Sequence, residues 1–215
     1  MSGDEGVSTA ARARQWAADP RPARTRAAVE AALQRLAQSG QDVTVNSVVR
    51  EAGVSRAAFY AQFSGLDDLA VAVVTRQLTT ISRAGADARD RGVELREAAR
   101  DTVRDLVRHI ATYRAFFLSA LDWKVSSRMQ EAAAAQMASA IRRYLEELAA
   151  TPGGAGSGVP QVSAHADTAR FLAGGVLHMI IAWLREESSD SLEAFTDRVL
   201  AQLPVWMGGT DHSPT

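Results

Sequence analysis

Cysteine is missing from this sequence. Its absence removes disulfide frameworks, thiolate nucleophiles and Cys-ligated zinc together, without deciding the compartment. There is also no run of about 18 or more consecutive apolar residues, the length a membrane-spanning helix requires. Met1–Ala10 is polar and acidic rather than a basic segment leading into an apolar one. The expected location is therefore cytoplasmic, with no membrane partner. Metal-ligand spacing is lacking too: His109, His165, His178 and His212 form no His-Glu-x-x-His pair, so no metal site is expected. The glycine-rich stretch from Thr151 to Pro160 lacks the Lys-Ser/Thr ending of a phosphate loop. Its Ala155-Gly156-Ser157-Gly158-Val159 is out of register for a Gly-x-Ser-x-Gly nucleophile elbow. A linker explains that stretch better, and neither an enzyme nor a cofactor is expected.

What remains is a chain of 215 residues, 47% hydrophobic, long enough for a small domain joined to a larger one and too apolar to be disordered throughout. A net charge of −1 means that a nucleic-acid binder must concentrate its positive charge locally. Between Pro20 and Phe63 it does: Arg21, Arg24, Arg26, Arg35, Arg50 and Arg56 stand against Glu30, Asp42 and Glu51.

The apolar spacing predicts an all-α protein with almost no tendency to strand. Residues 1–19 lack apolar periodicity and are expected to form a flexible tail, with the Asp19-Pro20-Arg21-Pro22 run opposing helix before Ala23. Val29, Ala32, Leu33, Leu36 and Ala37 follow one helical stripe that Gly40 is suited to stop. A short helix from Thr44 to Glu51, a turn at Ala52-Gly53-Val54 and a third helix capped by Ser55 follow, with a fourth from about Ser64 past Leu78. Further helices are expected at about 93–112, 113–121, 126–149, 162–186 and 192–206. The segment Phe171–Leu184 is apolar nearly all round and requires a covering partner helix. The resulting division is a tail (1–19), a helix-turn-helix domain (20–66), a helical regulatory and dimerisation domain (67–207) and a C-terminal tail (208–215).

The stretch Thr44–Phe63 sets two short helices across a turn whose glycine supplies a positive φ, a unit suited to presenting its second helix. Phe59 and Phe63 are expected to face Val48 and Val54, leaving Ser55, Arg56, Ala57 and Tyr60 outward. Arginine can bridge guanine O6 and N7, small residues permit close approach, and hydroxyls bind phosphate oxygens. Thr44, Val48, Ala52-Gly53-Val54-Ser55, Phe59-Tyr60, Phe63 and Leu69 together resemble the N-terminal domain of the TetR (tetracycline-repressor-like) family, over roughly Arg21–Leu78. The C-terminal two thirds resemble the family only in helical layout.

The resemblance implies a transcriptional regulator that binds double-stranded DNA. Thr44 and Tyr60 would clamp phosphates, while Ser55, Arg56 and Ala57, beside Val45, would lie at or near base edges. Arg21, Arg24 and Arg26 would reach the flanking backbone. Gln62 stands where the family usually has histidine, and Leu66 where it commonly has a phosphate-contacting lysine, so backbone affinity is expected to be weaker or shifted to the N-terminal arginines. The resemblance further implies a homodimer on an inverted repeat, with half-sites about 34 Å or a multiple apart. It also implies a small-molecule effector whose entry tilts the fourth helix and releases the operator. Candidate dimer residues are Phe171, Gly174, Gly175, Leu177, Ile181, Phe195 and Val199.

Candidate ligand residues are Tyr113, Phe116, Phe117, Leu121, Trp123, Met129, Met137 and Trp183, although core packing explains each equally well. His178 is expected to be a core or interface histidine first and a ligand contact second. Two rival readings stay open: an activator or ligand-independent repressor on the same scaffold, and a helical small-molecule-binding or enzymatic protein that has lost DNA binding.

Overall fold

The computed structural model describes residues 20–39, 41–122, 126–151, 158–185 and 191–209, and every described element is helical. The expected tail at 1–19, Gly40, Trp123 and most of the linker and C-terminal tail lie outside the described residues. The chain divides into two compact units, parted between Leu66 and Asp67.

The first unit is built from α1 (Arg21–Gln38), α2 (Val45–Ala52) and α3 (Arg56–Tyr60). α1 starts two residues earlier than the proline-rich run predicts. Pro22 sits in the first turn, where the N–H it lacks has no helical acceptor to lose. The predicted stripe of Val29, Ala32, Leu33, Leu36 and Ala37 is buried, and Val48, Phe59 and Phe63 complete the core. Arg35 of α1 pairs with Glu51 of α2 at 2.6 Å and also donates to its backbone carbonyl at 3.2 Å.

The second unit contains α4 (whose helix runs Leu66–Asp90), α5 (Leu95–Thr112), α6 (Arg114–Leu121), α7 (Ser126–Ala150), α8 (His165–Arg185) and α9 (Leu192–Gln202). Short 3-10 turns lie at Val162–Ala164 and Val205–Met207. α7 and α8 make the most extensive packing, α9 lies on α5, and α6 on α8. Gly85 allows the close approach of α4 to α5, because a Cβ there would fall 2.4 Å from Thr102 Oγ1.

Three expectations are corrected. The last helix does not run to Trp206: Leu203 takes an extended conformation, as a residue before proline prefers, and Pro204 cannot continue the hydrogen-bond ladder. Gly208 and Gly209 are packed rather than part of a tail, with the Gly208 carbonyl accepting from Arg100 Nε at 2.7 Å. Phe195 and Val199, proposed for a dimer contact, are buried inside the unit, and the Phe195 ring stacks on Trp183 at 4.4 Å.

Candidate nucleic-acid interface and ligand cavities

The turn between α2 and α3 is determined by three local devices. Thr44 caps α2: its hydroxyl accepts from the Ser47 N–H at 3.0 Å, while the Ser47 hydroxyl accepts from the Thr44 N–H at 2.9 Å. Gly53 ends the helix at φ +66°, a conformation costly for any residue with a Cβ. Ser55 then caps α3 by accepting from the Ala58 N–H at 3.1 Å. With both ends fixed, Phe59 points into the core and anchors the five-residue α3.

The opposite side of α3 presents Arg56, Ala57 and Tyr60, all exposed, next to Ser55. Tyr60 is 49% exposed, and its ring stands edge-on to Phe59 at 5.3 Å, so its orientation is supported by a buried neighbour. Arg56 donates to Asn46 Oδ1 at 2.9 Å, which links the recognition helix to the first turn of α2. Sequence reasoning missed Asn46, since nothing in the local pattern pairs it with a residue ten positions later.

Of the other DNA-contact candidates, Thr44, Arg21 and Arg24 are exposed and Val45 is half-buried. Arg26 is engaged within the unit: it donates to the Gln62 carbonyl at 3.3 Å and lies over the Phe63 ring at 4.9 Å. Gln62 serves that contact through its backbone.

Two cavities among the helices of the second unit bear on ligand binding. One, of about 60 Å³, is lined by Val74, Gln77 and Leu78 of α4, Leu106, His109 and Ile110 of α5, and Phe117 and Leu121 of α6. Met129, Gln130, Ala133 and Met137 of α7, with Leu177, Ile180, Ile181 and Leu184 of α8, complete its wall, which is mostly aliphatic and aromatic, with Gln77, His109 and Gln130 as its polar members. The other, of about 110 Å³, shares Leu78, Leu106 and Met137 with it and adds Ser82, Arg89, Thr102, Arg143 and Tyr144 among its polar residues.

Of the ligand candidates, Phe117, Leu121, Met129 and Met137 line the first cavity. Phe116 is core, Tyr113 packs its ring on His109 at 4.6 Å, and Trp183 is buried against Phe195. His178 is exposed, not in the core, because it falls on the outward stripe of α8 with Phe171, Gly174 and Gly175. Leu177 and Ile181, expected at a dimer contact, are half-buried in the cavity wall. His109, which lacks metal-ligand spacing in the sequence, lines the first cavity. Burial among the aromatic and aliphatic groups of the cavity wall pushes its pKa below the ordinary 6.5 and favours the neutral ring. Tyr144 is raised to about 12, first by burial and then by Glu94, with Glu147 adding to the shift and Arg96 and Arg89 opposing it; its hydroxyl donates to the Trp206 carbonyl at 2.6 Å.

The described residues are all helical, and the first unit has the form of a helix-turn-helix, with a capped, aromatic-anchored second helix. Residues 28–73 match the family model of the bacterial regulatory proteins of the tetR family. No curated protein matches the sequence significantly. Among solved structures, Thermus thermophilus FadR, described as a TetR-family transcriptional repressor in complex with lauroyl-CoA, is similar in fold. Its TM-score is 0.65 at 18% sequence identity, covering 88% of this chain and 98% of that one. No described helix is long and apolar enough to cross a membrane.

Proposed function

We propose that this protein is a cytoplasmic, homodimeric transcriptional repressor that binds an inverted-repeat operator and is released from it by a small molecule held in the second unit. The observation that carries the reading is the recognition helix. Thr44 and Gly53 fix the ends of α2, Ser55 the start of α3 and Phe59 its rotation, leaving Arg56, Ala57 and Tyr60 outward, with a guanidinium suited to a base edge and a phenol hydroxyl suited to a phosphate. Plain packing does not require that outward set.

Dimerisation is supported by the α8 stripe of Phe171, Gly174, Gly175 and His178, spaced i, i+3, i+4 and i+7. Phe171 is 80% exposed there, an unfavourable placement for a large ring unless a second copy covers it. The effector reading is supported by the two cavities and by the acyl thioester bound to the similar repressor. For release, the effector must bind the DNA-free form more tightly than the DNA-bound form, and a coupling of about 1–3 kcal/mol is typical.

The test is selection of bound duplexes from a random pool by the full-length protein at two salt concentrations. An enriched inverted repeat whose affinity falls with salt is expected. No enrichment at either salt would overturn the reading in favour of a helical ligand-binding protein. A reporter carrying the selected site, with and without the gene, then distinguishes repression from activation.

A further inference from the structure

We propose that the two cavities form one amphipathic site, which takes an effector with a plain hydrocarbon end in the apolar cavity and a single anionic group at Arg143. This inference rests on the effector-binding part of the preceding reading and names the chemistry of that effector.

The two cavities are neighbours in the wall as well as in space: Leu78, Leu106 and Met137 face both. Of these, Met137 has an unbranched side chain that can change rotamer to open or narrow the passage. The cavities differ in what they can solvate. The first has no Asp, Glu, Lys or Arg in its lining, and its polar members are the neutral Gln77 and Gln130 and His109, whose neutral ring burial favours. A carboxylate or ammonium group entering it would lose its water without gaining a countercharge. A methyl or aryl terminus loses nothing there and gains dispersion contacts with a dense hydrocarbon wall.

The second cavity carries Arg89 and Arg143 and no carboxylate in its lining. Arg89 is already committed, with Nε and an outer nitrogen donating to the two Glu147 carboxylate oxygens at 2.6 and 2.9 Å. Arg143 donates to the neutral Ser139 hydroxyl at 3.0 Å and makes no ion pair among the described residues. One uncompensated guanidinium at a cavity mouth matches one anion, and its planar fork suits a carboxylate in bidentate contact. Because Arg143 is exposed, the anionic end remains close to solvent and can bear a further substituent. The polarity of the two walls thus fixes the orientation: apolar end inward, charged end at the mouth.

The experiment titrates decanoate, 1-decanol and decanedioate into the full-length protein by calorimetry at neutral pH. Decanoate is expected to bind best. Decanedioate should bind about tenfold or more weakly, because its second carboxylate must enter the apolar cavity or withdraw the chain from it. 1-Decanol should bind about 3- to 10-fold more weakly than decanoate, the loss of one charge-assisted contact. Arg143→Leu should abolish the difference between decanoate and decanol while keeping decanol affinity. Arg143→Lys should restore part of it; a merely structural role would weaken all three probes together.

Equal binding of decanedioate, a preference for decanol, persistence of the carboxylate preference in Arg143→Leu, or no binding by any probe would each overturn the proposal. The DNA selection on the same preparation separates the failures. Enriched DNA without probe binding removes this effector chemistry alone. Probe binding without DNA enrichment removes the DNA-binding reading and leaves the site. Probe binding that does not alter DNA affinity removes the coupling between them.

Discussion

The two units are both helical, but they are specified in different ways. In the first, the decisive contacts are short in sequence: Thr44 with Ser47, Ser55 with Ala58, and Phe59 with Phe63. In the second they join distant segments, such as Tyr144 with Trp206, Arg114 with the Leu184 carbonyl at 2.9 Å, and Arg89 with Glu147. A function built on local capping can be recognised from a motif. A cavity whose wall draws on α4, α5, α6, α7 and α8 cannot, because no spacing along the chain encodes which faces of those helices meet.

The largest expected effect tests the local side of that contrast. Phe59→Ala removes the anchor of a five-residue helix and should cost the first unit about 3–5 kcal/mol, abolishing DNA binding in a retention assay. Ligand binding in the second unit should survive if the two units are specified independently. Loss of both functions together would break the comparison.

Next come the outward residues of the same helix. Arg56→Ala should reduce discrimination between a selected site and random DNA by about 1–3 kcal/mol if the guanidinium reads a base. Equal loss on both DNAs would remove that role. Tyr60→Phe should weaken both DNAs alike, as a phosphate contact requires, and a loss confined to one base position would contradict it.

In the second unit, Tyr144→Phe leaves the Trp206 carbonyl without its donor and should lower stability by about 1–3 kcal/mol in denaturant melts, without altering DNA specificity. The same contact has a pH signature. Because the folded pKa is raised from 10.0 to about 12, its contribution is complete below pH 10 and is lost as pH rises toward 12. Tyr144→Phe should flatten that alkaline decline; an unchanged decline would assign it to other groups.

The smallest effect concerns His109, whose folded pKa is lowered. Its neutral form favours the fold, so this contribution is full above pH 6.5 and falls as pH drops below it, levelling off beneath the folded pKa. Melting midpoints of the wild type and His109→Gln across mildly acidic pH check this, and identical slopes would count against it.

Much of the helical layout was legible from apolar spacing, and the buried stripe of α1 agrees residue for residue. The misplaced end of the last helix arose from giving the spacing of Leu203 and Trp206 more weight than Pro204, whose backbone restriction wins. Phe195 and Val199 were assigned to a dimer contact because a periodic apolar face does not say what covers it. Here α9 turns that face toward α5 and α8. Asn46 became visible as a partner of Arg56 only when α2 and α3 were placed together.

What the sequence determined by itself is therefore local: the helical layout, the turn at Gly53, the rotation of the recognition helix through Phe59, and the resemblance of the first unit to a known domain. Those follow from caps, backbone conformation and periodicity, which act over a few residues. Tertiary structure alone decided that Phe117, Leu121 and Met137 line a cavity while Phe116 and Trp183 fill the core, and that His178 faces outward. Burial is a property of the packed whole, since a side chain leaves water only where another segment arrives to cover it.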